Sequence, residues 1–583
     1  MSNQTGEKQE KAGREAKNQK ESAAWVLLEL LEREGSILRL DGSIPPDMAA
    51  DSFALKLNGE TLPVYFTERF SQPEVDEKVF CGCRAFFAEV SPERLQRDNI
   101  LTFIWTDEEG KEEVLPVVST CYQARLHTGL RHGWWLFEDY MITLAGADPG
   151  ACRAAGIRIC RTGKPERVRQ EFRFLKEILR ASYGSRKMFL MRLAYWLSYP
   201  FYCRKNIWLT FDKLYKGGDC GEYFYKYVTG RKEDGISPVY VIKKDVPDYE
   251  RLCREGYRPA VYRSWKQRMC YLYASMVFGT HSGVPSFCGF NQWEIRFVQD
   301  RLRSVNACIQ HGLSVQDLRA DSNRVVNNNK RYYCASRYEV DNLSKPAYDY
   351  CPETLRLTGI PRYDGLMPQD GRQILIAPTW RSYLAMHSVM GQTRPYNPEF
   401  KNTEYYRIYQ AFVEHEKLGE TARQMGYQIV YLLHPVISAQ KKDFRPAQGV
   451  EILSALEADY EELLTQSSLM VTDYSGVQFD FAYMRKPVVY FHPPALPPHY
   501  EEGGFFYETQ GFGEICTGID ELAETLCNYM RDGCRLKDFY RRRQDDFFAY
   551  QDFESCKRIY EDARSYQERL KQSGKAAGRQ RKK

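Results

Sequence analysis

The chain has 583 residues, 43% hydrophobic and 14% aromatic, enough to fill about three domains and too apolar for an intrinsically disordered protein. With 82 Lys and Arg against 77 Asp and Glu, the net charge is only +5, which argues against nucleic acid as a partner. Its 17 cysteines are an odd, scattered set without a CxxC pair, and Cys81-Gly-Cys83 has no second half; reduced, buried thiols are expected, not disulfides or a zinc site.

The N-terminus, MSNQTGEKQEKAGREAKNQKES, lacks an apolar run, so residues 1–22 read as a disordered polar tail and not as a signal peptide. Residues 23–125 read as a small β-sandwich-like domain. SILRLDG, FALKLNG, AFFAEV and ILTFIWTDEEGKEEVLPVV carry alternating or β-branched and aromatic residues, and Asp41-Gly42 and Asn58-Gly59 suit hairpin turns. The domain holds no clustered catalytic side chains, which suits docking or acceptor recognition. Residues 126–205 read as a connector with short strands and then a helical region, Glu166 to Lys205, broken near Gly184 and Pro200. Within it LAYWLSYPFYC, Leu193–Cys203, is too short to span a bilayer. Arg186, Lys187 and Arg192 precede it and Arg204 and Lys205 follow, a pattern that fits either a membrane interface or a core helix with surface charges.

From residue 206 strands and helices alternate. IWLTF, PVYVIKK, MVFGT, NACIQ, YYCAS and LRLTG make one half, residues 206–366. After a polar break at Pro368-Gln369-Asp370-Gly371, ILIAP, QIVYLLH, EILS, LMVTDY and PVVYF make a second, residues 367–545. These short apolar runs predict an α/β fold of two Rossmann-type halves, with parallel sheets and a cleft at the carboxyl ends of their strands. Residues 546–583 read as a C-terminal helix, part of a helical segment from Arg541 to Lys571, and a basic tail, KAAGRQRKK.

Five strand ends carry polar groups. In VTDYSGVQFDFAYMRKPVVYF, Val471–Phe491, a turn sets Asp473, Ser475 and Gly476 at a helix N-terminus, where amides and the helix dipole attract phosphate. Ser475 and Gln478 also match a capping box. His311-Gly312 ends NACIQ, Arg362 and Asp364 follow LRLTG, Thr379, Trp380 and Arg381 follow ILIA, and His434-Pro435 ends QIVYLL. Arginine and serine with helix amides suit a diphosphate, and histidine suits proton transfer. No cluster has the spacing of a divalent-metal site, so no metal or cofactor is expected and charge stabilisation falls to side chains and dipoles.

The ordered series HG…TGIPRYDGL…ILIAPTWR…LLHP…VTDYSGVQFDFAYMRKPVVYF closely resembles the CDP-glycerol glycerophosphotransferase family, bacterial enzymes that prime or polymerise teichoic-acid-like glycerol phosphate chains. NIWLTFDKLYKGGDCGEYFYKY (Asn206–Tyr227) and YEEGGFFYETQGFGE (Tyr500–Glu514) extend the resemblance. It implies a GT-B architecture for roughly residues 206–560, which the β-sandwich-like domain read above precedes, and attack of an acceptor hydroxyl on the phosphorus that bears glycerol, with departure of CMP. His311 matches the family's general base, and His434 and Arg381 match positions near the diphosphate. Thr472, Asp473 and Ser475 fall in the turn that receives the donor phosphates. The catalytic candidates are therefore His311 and His434, and the substrate-binding ones Arg362, Asp364, Thr379, Arg381, Thr472, Asp473, Ser475 and Gly476. Three positions depart from the family pattern: Gly476 stands where many relatives have a second Ser, Gly-Leu-Ser-Val-Gln-Asp follows His311, and Cys220 replaces a commoner Asn. The implied partners are CDP-glycerol, a lipid-linked or polymeric glycerol phosphate acceptor, and the inner face of the cell membrane, with the protein cytoplasmic and peripheral. Alternatives are a CDP-ribitol donor, a GT-B glycosyltransferase using a nucleotide sugar for surface polysaccharide, or a non-enzymatic chain whose β domain is adhesive.

Overall fold

Alternating side chains make the N-terminal strands, and their inward faces make one core. A computed structural model describes residues 24–181, 185–280, 287–386, 394–454, 457–498 and 504–580; the expected polar tail lies outside them. One sheet runs Val117–Val118, Val26–Glu34, Ile37–Ile44, Arg84–Val90, Val64–Thr67. The other runs Trp134–Phe137, Tyr140–Ala145, Gly156–Arg161, Asp98–Thr106, Phe53–Leu57, Glu60–Leu62. Leu31, Leu38, Phe86, Phe103 and Ile157 share the core. The β domain thus extends past residue 125: strands expected in a connector pair through Gly156–Arg161 with Asp98–Thr106.

Of the two hairpin signals, Asn58-Gly59 turns between strands with both residues at positive φ (53° and 89°). Asp41-Gly42 does not. It lies inside Ile37–Ile44, where the partner strand shifts register between Leu28 and Leu30. A Cβ on Gly42 would meet the Leu27 carbonyl oxygen at 2.5 Å, so here glycine serves close backbone approach.

Two helices follow, α1 (Lys164–Arg180) and α2 (Ser185–Tyr202), the latter continuing through Pro200 where a break was expected. Two compact units divide inside α2: one holds residues up to Leu197, Asn291–Arg301 and the C-terminal tip, the other Ser198–Phe290 and Leu302–Ala576. In the first, Arg192 is fully buried. It bonds Glu171 at 2.5 and 2.8 Å, Asp300 at 2.8 Å and the Phe297 carbonyl at 2.7 Å. Trp134 and Trp196 donate their indole N–H to Glu171. Of the two readings left open for this segment, Arg192 and Trp196 follow the core one, as parts of a buried ionic cluster.

The second unit contains both α/β halves. Its first sheet is parallel, in the order Ala260–Val261, Ile236–Ile242, Asn206–Phe211, Ala274–Gly279, Val305–Cys308, Asn329–Cys334, Leu355–Leu357. The second is also parallel: Val450–Ser454, Gln428–Leu433, Gln373–Ile376, Ser467–Thr472, Val488–Phe491, Ile515–Cys516. In both, the order reverses beside the half's first strand, opening a crevice at the strand carboxyl ends. Three further helices matter below: α3 (Cys220–Gly230), α4 (Val477–Tyr483) and α5 (Ser555–Gln580). The helical segment expected from Arg541 is two helices, Asp538–Phe547 and α5. α5 packs on the first half, with Gln567 bonded to Asn206 and Trp208, and Asp562 to Tyr333.

Gly513 shows how tightly the second sheet is covered, because a Cβ there would stand 1.6 Å from the Val488 carbonyl oxygen. Backbone cannot yield as a side chain can. Gly513→Ala is expected to cost about 1–3 kcal/mol, read as a lower denaturation midpoint with a preserved far-ultraviolet spectrum; an unchanged midpoint refutes this.

Candidate active site

Strand Val305–Cys308 delivers His311 to the first crevice through an unusual turn. Gln310 adopts φ 54°, the left-handed region that non-glycine residues avoid. Its amide nitrogen donates to the Tyr333 carbonyl at 2.6 Å and its amide oxygen accepts from the Ser314 hydroxyl at 2.8 Å, which holds the conformation.

The Nδ1 of His311 contacts the carboxylate of Asp219. Asp219 caps α3, its Oδ1 accepting from the Cys220 N–H at 2.8 Å. That same oxygen accepts from Nη1 of Arg362 at 3.0 Å, and Nη1 also donates to the His311 carbonyl. The other donors of Arg362 reach across to the second half: Nε to Asp480 Oδ1 at 3.0 Å, and Nη2 to the two oxygens of Asp480 at 2.9 and 3.1 Å. Asp480 lies on α4, four residues after Gly476, about 6 Å along the helix. One guanidinium thus ties the His311 turn to the helix that begins directly after Ser475 and Gly476.

Charges follow this geometry. The imidazole keeps 43% of its side-chain surface open, yet desolvation by the surrounding protein lowers the His311 pKa from its ordinary value; Asp219 opposes the shift, and Lys213 and Arg362 reinforce it. Burial alone would raise Asp219, but the charges of His311 and Arg362 hold its carboxyl well below the usual range. Burial pushes Asp480 up to about 6 against the pull of Arg362.

In the second half Asp473 follows strand Ser467–Thr472. Its Oδ1 accepts from the Thr379 and Tyr474 N–H groups, both at 2.7 Å, and its Oδ2 lies 3.0 Å from Arg381 Nη2. Arg381 also donates to the carbonyls of Thr379 and Pro497. The Thr472 hydroxyl donates to the Ala377 carbonyl at 2.8 Å. In contrast, the Thr379 hydroxyl is buried and finds no hydrogen-bond partner among the described residues. Ser475 is half-buried, its hydroxyl accepting from Val477 N–H at 3.4 Å. A Cβ on Gly476 would meet nothing within 4 Å, so the position has room for a small side chain. His434 stacks on Trp380 with ring centres 5.9 Å apart, and its Nδ1 accepts from Val436 N–H.

Several expectations change here. Arg362 was expected to contact substrate, but its donors are committed to Asp219, Asp480 and a carbonyl. Asp364 accepts from the Ser555 and Cys556 N–H groups and so caps α5 instead of facing a ligand. Arg381, Thr472 and Asp473 bind one another's loops. The Ser475–Gln478 capping box does not form: α4 starts after Gly476, and Gln478 bonds Tyr507 and Tyr490. Of the Tyr500–Glu514 loop, residues 500–503 lie outside the described residues. Sequence reasoning missed Asp219, Lys213 and Asp480. The signal for Asp219 was an acid just ahead of a helix in GGDCGEYF. It also missed His492, stacked on Tyr474 at 4.4 Å with Tyr507 edge-on to both rings. Among the described residues no group of three His, Cys, Asp or Glu is placed to hold a metal ion.

Comparison with known proteins supplies a family. The family described as CDP-Glycerol:Poly(glycerophosphate) glycerophosphotransferase matches residues 196–563. The minor teichoic acid biosynthesis protein GgaB of Bacillus subtilis (strain 168) is 34% identical over 400 residues, 67% of this chain and 44% of that protein. The teichoic acid poly(glycerol phosphate) polymerase of the same organism is 26% identical over 162 residues, 27% of this chain and 19% of that one. The chain therefore spans less than half the length of these relatives. Among solved structures, the wall teichoic acid polymerase TagF is similar with a TM-score of 0.48 at 16% identity, covering 70% of this chain and 100% of that one.

Replacing Arg362 by Gln leaves Asp219 and Asp480 without their shared cation. We expect a loss of about 3–5 kcal/mol in stability. Thermal melts that leave Arg362→Gln at the wild-type midpoint refute the clamp.

Proposed function

We propose that this chain, which belongs to the CDP-Glycerol:Poly(glycerophosphate) glycerophosphotransferase family, transfers glycerol phosphate from CDP-glycerol to a hydroxyl of a membrane-linked acceptor or growing teichoic-acid-like polymer and releases CMP. The observation that supports the reading is the Arg362 bridge, which joins the His311 turn to Asp480 on α4, the helix that follows the Ser475–Gly476 turn. Phosphoryl transfer needs positioning and charge stabilisation more than covalent chemistry.

In this reading His311 takes the proton of the acceptor hydroxyl as its oxygen bonds to phosphorus and the bond from phosphorus to the CMP oxygen breaks. Ser475, the buried Thr379 hydroxyl and the amides around Gly476 hold the donor phosphates, with His434 near the diphosphate. Arg362, Arg381, Thr472 and Asp473 shape these turns from behind, and Asp364 anchors α5. CDP-ribitol stays open as donor, since the teichoic acid ribitol-phosphate polymerase TarK of Staphylococcus aureus (strain NCTC 8325 / PS 47) is 22% identical over 236 residues.

The test is incubation of the purified chain with CDP-glycerol or CDP-ribitol and a synthetic glycerol phosphate oligomer. CMP release that falls about a hundredfold or more in His311→Gln is the expected result. Inertness with both donors alongside turnover of a nucleotide sugar sinks the proposal in favour of a glycosyltransferase.

The membrane surface is the second part of the proposal. Among the described residues no helix is long and apolar enough to cross a membrane. However, α2 exposes Leu190, Leu193, Leu197 and Phe201 at helical spacing, the last two at 69% and 74%, with Arg186, Arg204 and Lys205 exposed near its ends. Val168, Phe172 and Leu179 are exposed on α1. Flotation with vesicles containing anionic lipid is expected to carry the chain, and Leu197→Ser with Phe201→Ser to weaken it. Trp196 is unsuitable for this test because it bonds Glu171. Equal flotation of the double variant removes α2 from that role.

A further inference from the structure

We propose that Asp219 is the positioning residue of the transfer reaction, fixing the His311 imidazole in the tautomer with its proton on Nδ1 so that Nε2 carries the lone pair. The inference rests on the reading of His311 as base and goes beyond it by assigning the proton's place and the group that keeps it there.

The two oxygens of Asp219 have different duties. Oδ1 accepts from the Cys220 N–H at 2.8 Å and from Arg362 Nη1 at 3.0 Å, while Oδ2 faces Nδ1 of His311. An ionised carboxylate can only accept, so the nitrogen facing it must carry the hydrogen. The backbone agrees with that assignment, because the Arg362 clamp on the His311 carbonyl and the braced Gln310 turn hold the ring against Asp219. When the acceptor O–H gives its proton to Nε2, the acceptor oxygen bonds to phosphorus and CMP leaves with the electron pair of the broken P–O bond. The imidazolium then pairs with Asp219 until its proton passes to solvent. The charged groups around the ring are Asp219 from α3, Lys213 from the loop after Asn206–Phe211, and Arg362 from the Pro361–Gly365 turn.

The arrangement makes an unusual demand on substitutions. In Asp219→Asn the carbonyl oxygen stays with its two donors, so the amide N–H₂ faces Nδ1. A donor there forces Nδ1 to accept, moves the ring proton to Nε2 and blocks the base, although asparagine keeps the helix cap. In Asp219→Ala the cap is lost, but water can serve Nδ1 and either tautomer is open. The asparagine variant is therefore expected to be the more stable and less active protein, its turnover down by about a hundredfold or more, and the alanine variant the less stable and more active of the pair. Because Asp219 raises the His311 pKa against desolvation, its loss also moves the acid limb of kcat/KM to lower pH.

Turnover and pH profiles of the wild type and the two variants are measured by CMP release from CDP-glycerol with a glycerol phosphate oligomer. In parallel, long-range ¹⁵N–¹H spectra of histidine-labelled protein, with the His311 signal identified by its loss in His311→Gln, report the tautomer without any turnover. The proposal expects an Nδ1–H ring in the wild type and an Nε2–H ring in Asp219→Asn. A wild-type ring protonated on Nε2, or Asp219→Asn within threefold of wild type while His311→Gln is inactive, overturns the positioning role and leaves His311 as base. Full activity of His311→Gln overturns the functional reading, and the positioning role with it.

Discussion

The Arg362 guanidinium distributes its donors over two carboxylates and a carbonyl that come from three separate segments of the chain. Each carboxylate sits at a helix: Asp219 caps α3 in the first half, and Asp480 is fully buried on α4 in the second. A buried charge is tolerated only with an opposite charge and saturated hydrogen bonds. The two halves are thereby held together across their strand ends, and the placement of His311 relative to the Ser475–Gly476 turn depends on one side chain as well as on loops. The planar fork matters here, since a lysine is a point charge and does not span two carboxylates in fixed geometry.

Topology supplies the rest of the placement. In the second half the turns Thr379–Arg381 and Asp473–Gly476 follow the first and fourth strands, which flank the reversal of strand order; in the first half Asp212–Asp219 follow the first strand, and His311 follows the fifth, one strand beyond the fourth that flanks the reversal. In the second half Asp473 holds these turns together through Thr379, Tyr474 and Arg381. What remains for a ligand is small: a half-buried serine hydroxyl, a buried threonine hydroxyl and backbone amides. Such a surface suits the diphosphate of the proposed donor, whose diffuse negative charge hydrogen-bond donors fixed in place would meet without reorganising.

How much of this was legible depended on whether a residue type has one physical meaning or two. Apolar runs such as IWLTF and ILIAP became parallel strands because their length and composition admit little else. Asn58-Gly59 turned as expected, since its residues take positive φ, but Asp41-Gly42 shows that the same kind of dipeptide also fits the middle of a strand that meets a bulge. Arg362 and Asp364 illustrate the limit at the site. A charged residue at a strand end reads the same whether it awaits a ligand or a partner, and only the contacts separate a clamp and a helix cap from a substrate ligand. Asp480 was invisible for a related reason, lying within the apolar pattern FDFAY, where one acid looks like a solvent-facing interruption although its partner lies 118 residues away.

The electrostatics of the cluster also bear on why an imidazole works in this place. Around His311, Asp219 and Asp480 face Arg362 and the nearby Lys213, and desolvation lowers the pKa of the ring from its ordinary value. Taking a proton adds one positive charge next to the carboxylate best placed to share it. In the proposed transfer that charge arises as the acceptor oxygen begins to bond to phosphorus, so attraction toward the phosphoryl oxygens would grow with the reaction and be smaller in the resting complex. Stabilisation that appears only as the bond forms accelerates the step, while attraction present from the start would merely tighten binding. A permanent cation at position 311 would lack this property, and so would a histidine whose proton sat on the wrong nitrogen.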